Sequence, residues 1–143
     1  MITRYTTDIR VVLCLALLAG AAACRGGTET PAASEMRITD VTLGRAIGTD
    51  KAVSDRTDSF KPADTIYASV ATEGSSPSAA LRAKWTYGEG QLVDESTRTI
   101  ASGSRERTEF HIAKPDGWPV GKYKLEVFFN DKLAETKTFD VSH

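Results

Sequence analysis

The sequence predicts an all-β protein: an antiparallel, seven-stranded β-sandwich behind a helical signal segment and a disordered tether. Three observations lead there. From Met36 onward apolar residues recur with a period of two, and no segment shows the 3.6-residue period of a helix. Turn residues interrupt these runs, mostly every 8 to 15 residues, which is the spacing of sandwich strands. Ahead of them, a short apolar tract stops at Cys24.

That tract, Val11 to Ala23, holds thirteen uncharged residues. A membrane-crossing helix needs about 20. Arg4 and Arg10 precede the tract, and it ends in the small residues Gly20, Ala21, Ala22 and Ala23. A basic start, an apolar middle and a small-residue end make a secretory signal. Because Cys24 follows directly, "AAAC" resembles the lipobox of bacterial lipoproteins, a family that prefers Leu where this chain has Ala21. The resemblance implies cleavage before Cys24 and two or three acyl chains, palmitate among them, on that residue. Two chains anchor stably where one does not. An ordinary cleaved signal and an uncleaved anchor are the alternatives. In an envelope with two membranes, Arg25 in place of Asp after the cysteine resembles outer-membrane sorting. The expected divisions are therefore 1–23 signal peptide, 24–35 lipidated cysteine and tether, and 36–143 the domain. "RGGTETPAASE" is small, polar and interrupted by Pro31, and its eleven residues reach about 37 Å when extended.

The domain opens with "MRITDVTLG", where Ile38, Val41 and Leu43 share one face and a slip of phase predicts a bulge. The long stretch Arg45 to Asp64 predicts either a short extra strand or a path over one edge. "TIYASVAT" sends Ile66, Ala68 and Val70 inward. After Gly74-Ser75-Ser76-Pro77-Ser78, "ALRAKWTYG" sets Leu81, Ala83, Trp85 and Tyr87 inward and Arg82, Lys84 and Thr86 outward. "QLVDESTRTI" alternates weakly and is expected at an edge. "TEFHIA" offers Phe110 and Ile112. "GKYKLEVFFN" offers Tyr123, Leu125, Val127 and Phe129, and Asn130-Asp131 turns it back into "KLAETKTFDV" as a hairpin, with Phe139 and Val141 inward.

Two features of this domain resemble the immunoglobulin fold. Trp85 lies in the third strand, where that fold keeps a buried tryptophan. "DGWPVGKY" is similar to its tyrosine corner, with Tyr123 starting a late strand. The resemblance implies that the Tyr123 hydroxyl bonds nearby backbone. Leu125 stands where antibody domains keep their second cysteine, so apolar packing replaces the disulfide. The fold itself implies no activity.

Charge and composition exclude several functions. The chain carries 18 basic and 19 acidic residues, and removal of the signal leaves 16 and 18. Such a balance argues against a nucleic-acid partner. The only cysteine left after cleavage is Cys24, so no disulfide can form within one chain. No nucleophile elbow occurs; His143 is terminal, and His111 falls on the outward parity between Phe110 and Ile112. No catalytic residue and no cofactor are expected. Asp94 with Glu95, and Glu106 with Glu109, read as exposed edge charges. Asp50, Asp55, Asp58 and Asp64 are weak calcium candidates, interleaved with Lys51, Arg56 and Lys61. Phe128, on the outward parity, and Trp118, in a loop, are candidates for contact with a partner; Trp118 has the alternative of capping the sandwich. The expected function is a membrane-anchored envelope lipoprotein, a non-enzymatic immunoglobulin-like module for another envelope protein. A variant of that reading has the partner add a strand at "QLVDESTRTI". The alternative is a domain outside the cytoplasm that binds sugar, peptide or calcium, or is an enzyme.

Overall fold

The computed structural model describes residues 35–102 and 105–143. The signal segment, Cys24, Arg25 and nearly all of the tether lie outside the described residues. Among the described residues there are eight strands: β1 (Arg37–Gly44), β2 (Ser59–Phe60), β3 (Ile66–Glu73), β4 (Ser76–Tyr87), β5 (Gln91–Ser102), β6 (Arg105–Ile112), β7 (Gly121–Phe129) and β8 (Lys132–Val141). They form a three-stranded sheet, β1-β3-β6, and a five-stranded sheet, β2-β8-β7-β4-β5.

Alternation places the core. In the small sheet, Val41, Leu43, Ile66, Ala68, Val70, Phe110 and Ile112 occupy one buried face. In the large sheet, Leu81, Ala83 and Trp85 pair with Phe129, Val127 and Leu125, and Tyr123 pairs with Phe139. Trp85 meets Phe139 edge-on at 5.9 Å, and Tyr123 stacks on Phe139 at 5.3 Å. The anticipated bulge in β1 lies between Ile38 and Asp40. Asn130 and Asp131 both take positive φ, 47° and 64°, the left-handed turn that matches strand twist in a two-residue hairpin.

Two expectations need correction. The strands number eight rather than seven, and the larger sheet is mixed: β2 runs parallel to β8. At two residues, β2 is too short to show a period. Burial of Phe60, which meets Phe139 edge-on at 5.4 Å, fixes it there. Backbone bonds from Asp140 N to the Asp58 carbonyl and from Ser142 N to the Phe60 carbonyl, each 2.9 Å, complete the attachment. The chain thus leaves one sheet after β1 and joins the other at β2.

Between them residues 45–56 form a small hairpin. Its rungs join Arg45 N to the Asp55 carbonyl, Ser54 N to the Ala46 carbonyl and Gly48 N to the Ala52 carbonyl. The hairpin lies against the outer face of the small sheet, where buried Ser69 donates to the Lys51 carbonyl at 2.6 Å. Gly44 permits the turn, since a Cβ there would collide with the Asp55 carbonyl oxygen and the Val53 side chain.

Candidate interaction site

Sheets of three and five strands cannot cover one another. Each strand adds about 4.8 Å of width, so the larger sheet overhangs at its margins. One margin is β5. Its register sets Asp94, Ser96 and Arg98 opposite Trp85, Ala83 and Leu81, on the row that faces inward. Trp85, Ala83 and Leu81 are fully buried, whereas Asp94 and Arg98 are exposed and Ser96 is half-buried. The inward row therefore passes from core to solvent within one strand spacing. Among the described side chains of β5, only Ile100, opposite Ala79, is buried. β5 is bonded to β4 on one side and is the terminal strand of its sheet. β6 is likewise terminal in the small sheet, and the β5 and β6 edges approach each other.

Where the two edges approach, they bound a cleft of about 650 Å³. Gln91, Val93 and Asp94 line it from β5, His111 from the end of β6 and Lys114 from the segment after it, with Tyr87 beside them. The His111 ring, exposed as its parity predicts, lies with Nδ1 2.7 Å from Glu109 Oε1. Leu92 at the start of β5 is 56% exposed.

The tyrosine corner closes the same end. The Tyr123 hydroxyl donates to the Pro119 carbonyl at 2.8 Å, and the Tyr87 hydroxyl donates to the Val120 carbonyl at 3.1 Å. The two rings lie 4.8 Å apart. Burial, and then the neighbouring Tyr87, push the Tyr123 phenol above its ordinary pKa.

Of the two aromatic candidates, Trp118 takes its capping alternative. Its indole is only 6% exposed, packs edge-on to Tyr123 and donates Nε1–H to the Asp64 carbonyl at 2.9 Å. It closes the end of the sandwich and presents little surface. Phe128 does lie on the outer face, opposite Arg82, but is half-buried. The Arg82 guanidinium covers its ring 4.0 Å from the centroid, and also reaches Glu95 at 3.3 Å and Asp131 at 3.6 Å.

The four aspartates of the long loop are used separately. Asp50 Oδ1 accepts from Ala52 N, and Asp64 Oδ2 accepts from Lys61 N. Asp55 pairs with Arg45 at 3.0 Å, and Asp58 contributes its backbone carbonyl to β8. Among the described residues no three His, Cys, Asp or Glu side chains gather as a metal site would require.

The sequence places β5 at an edge, but the uncovered inner row from Asp94 to Arg98 emerges only from its register with β4. The sequence signal for the edge is "DESTRT", polar at both parities, which describes a strand wet on both faces.

The pairing of β1-β3-β6 against β8-β7-β4-β5, the buried Trp85 and the closed tyrosine corner define an immunoglobulin-like β-sandwich. Solved structures agree. An immunoglobulin-like protein from Pseudomonas aeruginosa superposes with a TM-score of 0.54 at 18% identity, over 78% of this chain and 99% of that one. The C-terminal domain of Wzt does so with a TM-score of 0.55 at 8% identity, over 76% and 74%. The alkylpurine DNA glycosylase AlkC of Pseudomonas fluorescens matches with a TM-score of 0.50 at 16% identity, but this chain spans 31% of its length. At such identities the likeness is one of fold. No protein-family description and no curated protein sequence matches the chain.

Proposed function

We propose that this protein is a lipid-anchored component of a bacterial cell envelope whose immunoglobulin-like domain is a non-enzymatic interaction module. One observation carries the module: β5, twelve residues long, is bonded on one side only and has an inner row open to solvent. A strand edge of that kind accepts another strand through its free backbone groups. The anchor rests on the sequence, on "AAAC" behind a short apolar tract. Arg25 then favours the outer membrane of a two-membrane envelope.

Alternate residues of an edge strand point their N–H outward, so proline at one of the neighbours Ser96 and Thr97 removes an outward donor and spares the β4 ladder. That variant should lose the partner recovered by gentle crosslinking and affinity purification from membranes, with its circular dichroism unchanged. Recovery of no stoichiometric partner by the parent chain would overturn the module.

The cleft beside β5 favours a second reading, a sugar- or peptide-binding domain. It is concave and combines polar groups, Asp94, His111 and Lys114, with the Tyr87 ring. Saturable binding to a glycan or peptide array, abolished by Asp94→Ala together with His111→Ala, would support it. Identical array signals from parent and variant would exclude it.

A further inference from the structure

The middle of β5 is complementary to itself. Asp94 and Arg98 stand two residues to either side of Ser96, and all three lie on the uncovered inner row. The ion pairs among the described residues include neither Asp94 nor Arg98. Nor can the two meet each other, since four residues along a strand span about 13 Å.

An antiparallel ladder about a two-fold axis joins residues whose N–H groups point the same way, so the axis must fall on a residue. On Asp94, Glu95 or Arg98 it would set two like charges face to face. On Thr97 it would oppose Asp94 to Ile100 and Arg98 to Ser96. On Ser96 it sets Asp94 against Arg98 of the second copy, and does so twice. Opposite charges directly across a ladder are favourable, and like charges are not.

We propose that two copies of this chain join edge to edge through β5, antiparallel about a two-fold axis at Ser96, into one continuous ten-stranded sheet. The inference rests on the interaction-module reading and names the partner as a second copy. Backbone hydrogen bonds supply the attraction, and the paired charges select the register. The ladder is short, because the extra residue Val93 between the Trp85–Asp94 and Thr86–Leu92 pairs disrupts one end. The association is therefore weak in dilute solution and is favoured where copies are concentrated, as on a shared membrane.

The test uses the full chain in membranes of the producing cell, under mild oxidation. Residues paired across an antiparallel ladder stand about 4.5–5.5 Å apart at Cα, within reach of a disulfide. Ser96→Cys should give a covalent dimer well above the background of the parent chain. Asp94→Cys, about 13 Å from its counterpart in this register, should not. In the Ser96→Cys background, D94R or R98D alone should lower the dimer yield several-fold. The double exchange D94R/R98D should restore it, as should co-expression of the two single variants. All of these positions are exposed or half-buried, and recovery on co-expression of the two single variants shows that each of them folds. Dimer no stronger than the Asp94→Cys control, or yields indifferent to the charge changes, would overturn the proposal; the charges then only guard the edge. If a different protein is captured while this chain stays monomeric, self-pairing fails and the module reading stands. If neither a dimer nor a partner appears, both fail.

Discussion

Tyr123 shows how much one side chain does at the end of the sandwich. Its ring stacks on Phe139 and its hydroxyl holds the Pro119 carbonyl. Tyr123→Phe keeps the ring and orphans that carbonyl, so it should cost about 1 kcal/mol in urea unfolding. The same variant should alter the alkaline limb of stability. The folded state raises the phenol's pKa by burial and therefore favours the neutral form. That contribution is complete below the ordinary phenol pKa of about 10 and is lost as pH rises through the folded value. Melting curves above pH 10 should fall less steeply for Tyr123→Phe. Glu73 behaves in the opposite sense. A hydrogen bond from Arg105, then its charge, hold the carboxyl below its usual range. Its stabilisation is present above the ordinary carboxylate pKa and is lost as pH falls through the lowered one. Because the Glu73–Arg105 pair lies at the surface, with Arg105 exposed and Glu73 half-buried, salt should narrow the difference between the parent and Glu73→Gln. The tyrosine corner was legible because its signature is local, from Asp116 to Tyr123. Trp118 was not decided by sequence, because what covers it includes the carbonyl of Asp64, 54 residues away.

Strands were legible where both their faces have a fixed environment. β3, β4 and β7 alternate because one face meets the opposite sheet and the other meets solvent or small polar contacts. β2 has no pattern to read; its place depends on Phe60 meeting Phe139, some eighty positions on. β5 has an inner row that is uncovered from Asp94 to Arg98, so its weak alternation reports its position correctly and predicts an edge. The loop after β1 illustrates a different constraint. Gly44 is where the hairpin of residues 45–56 closes against the strand, and Gly44→Ala forces a methyl into the Asp55 carbonyl. The expected cost is roughly 1–3 kcal/mol, from overpacking of backbone that cannot move freely. A urea midpoint equal to that of the parent chain would show that the hairpin is loosely held.

At the scale of the whole molecule, unequal sheets explain the exposed margins. Three strands cover the middle of five and leave charged residues on the inner rows at both sides: Asp94 and Arg98 on β5, and Glu135 with Lys137, 3.4 Å apart, on β8. The proposed attachment to the membrane is a separate matter and rests on Cys24. Cys24→Ser should leave the precursor unprocessed or release the protein to the soluble fraction; a correctly cleaved variant that stays on the membrane would refute lipidation. The aspartates of the long loop already serve backbone amides and Arg45. EDTA should therefore leave the melting temperature unchanged, and a fall would reveal a calcium site. The parallel pair β2–β8 has one more effect. Traction applied to the N-terminal side of β2 and beyond the C-terminal end of β8 drags these neighbours in opposite directions along their length. Their bonds then bear the load together rather than one after another, so this seam resists being drawn open along that direction.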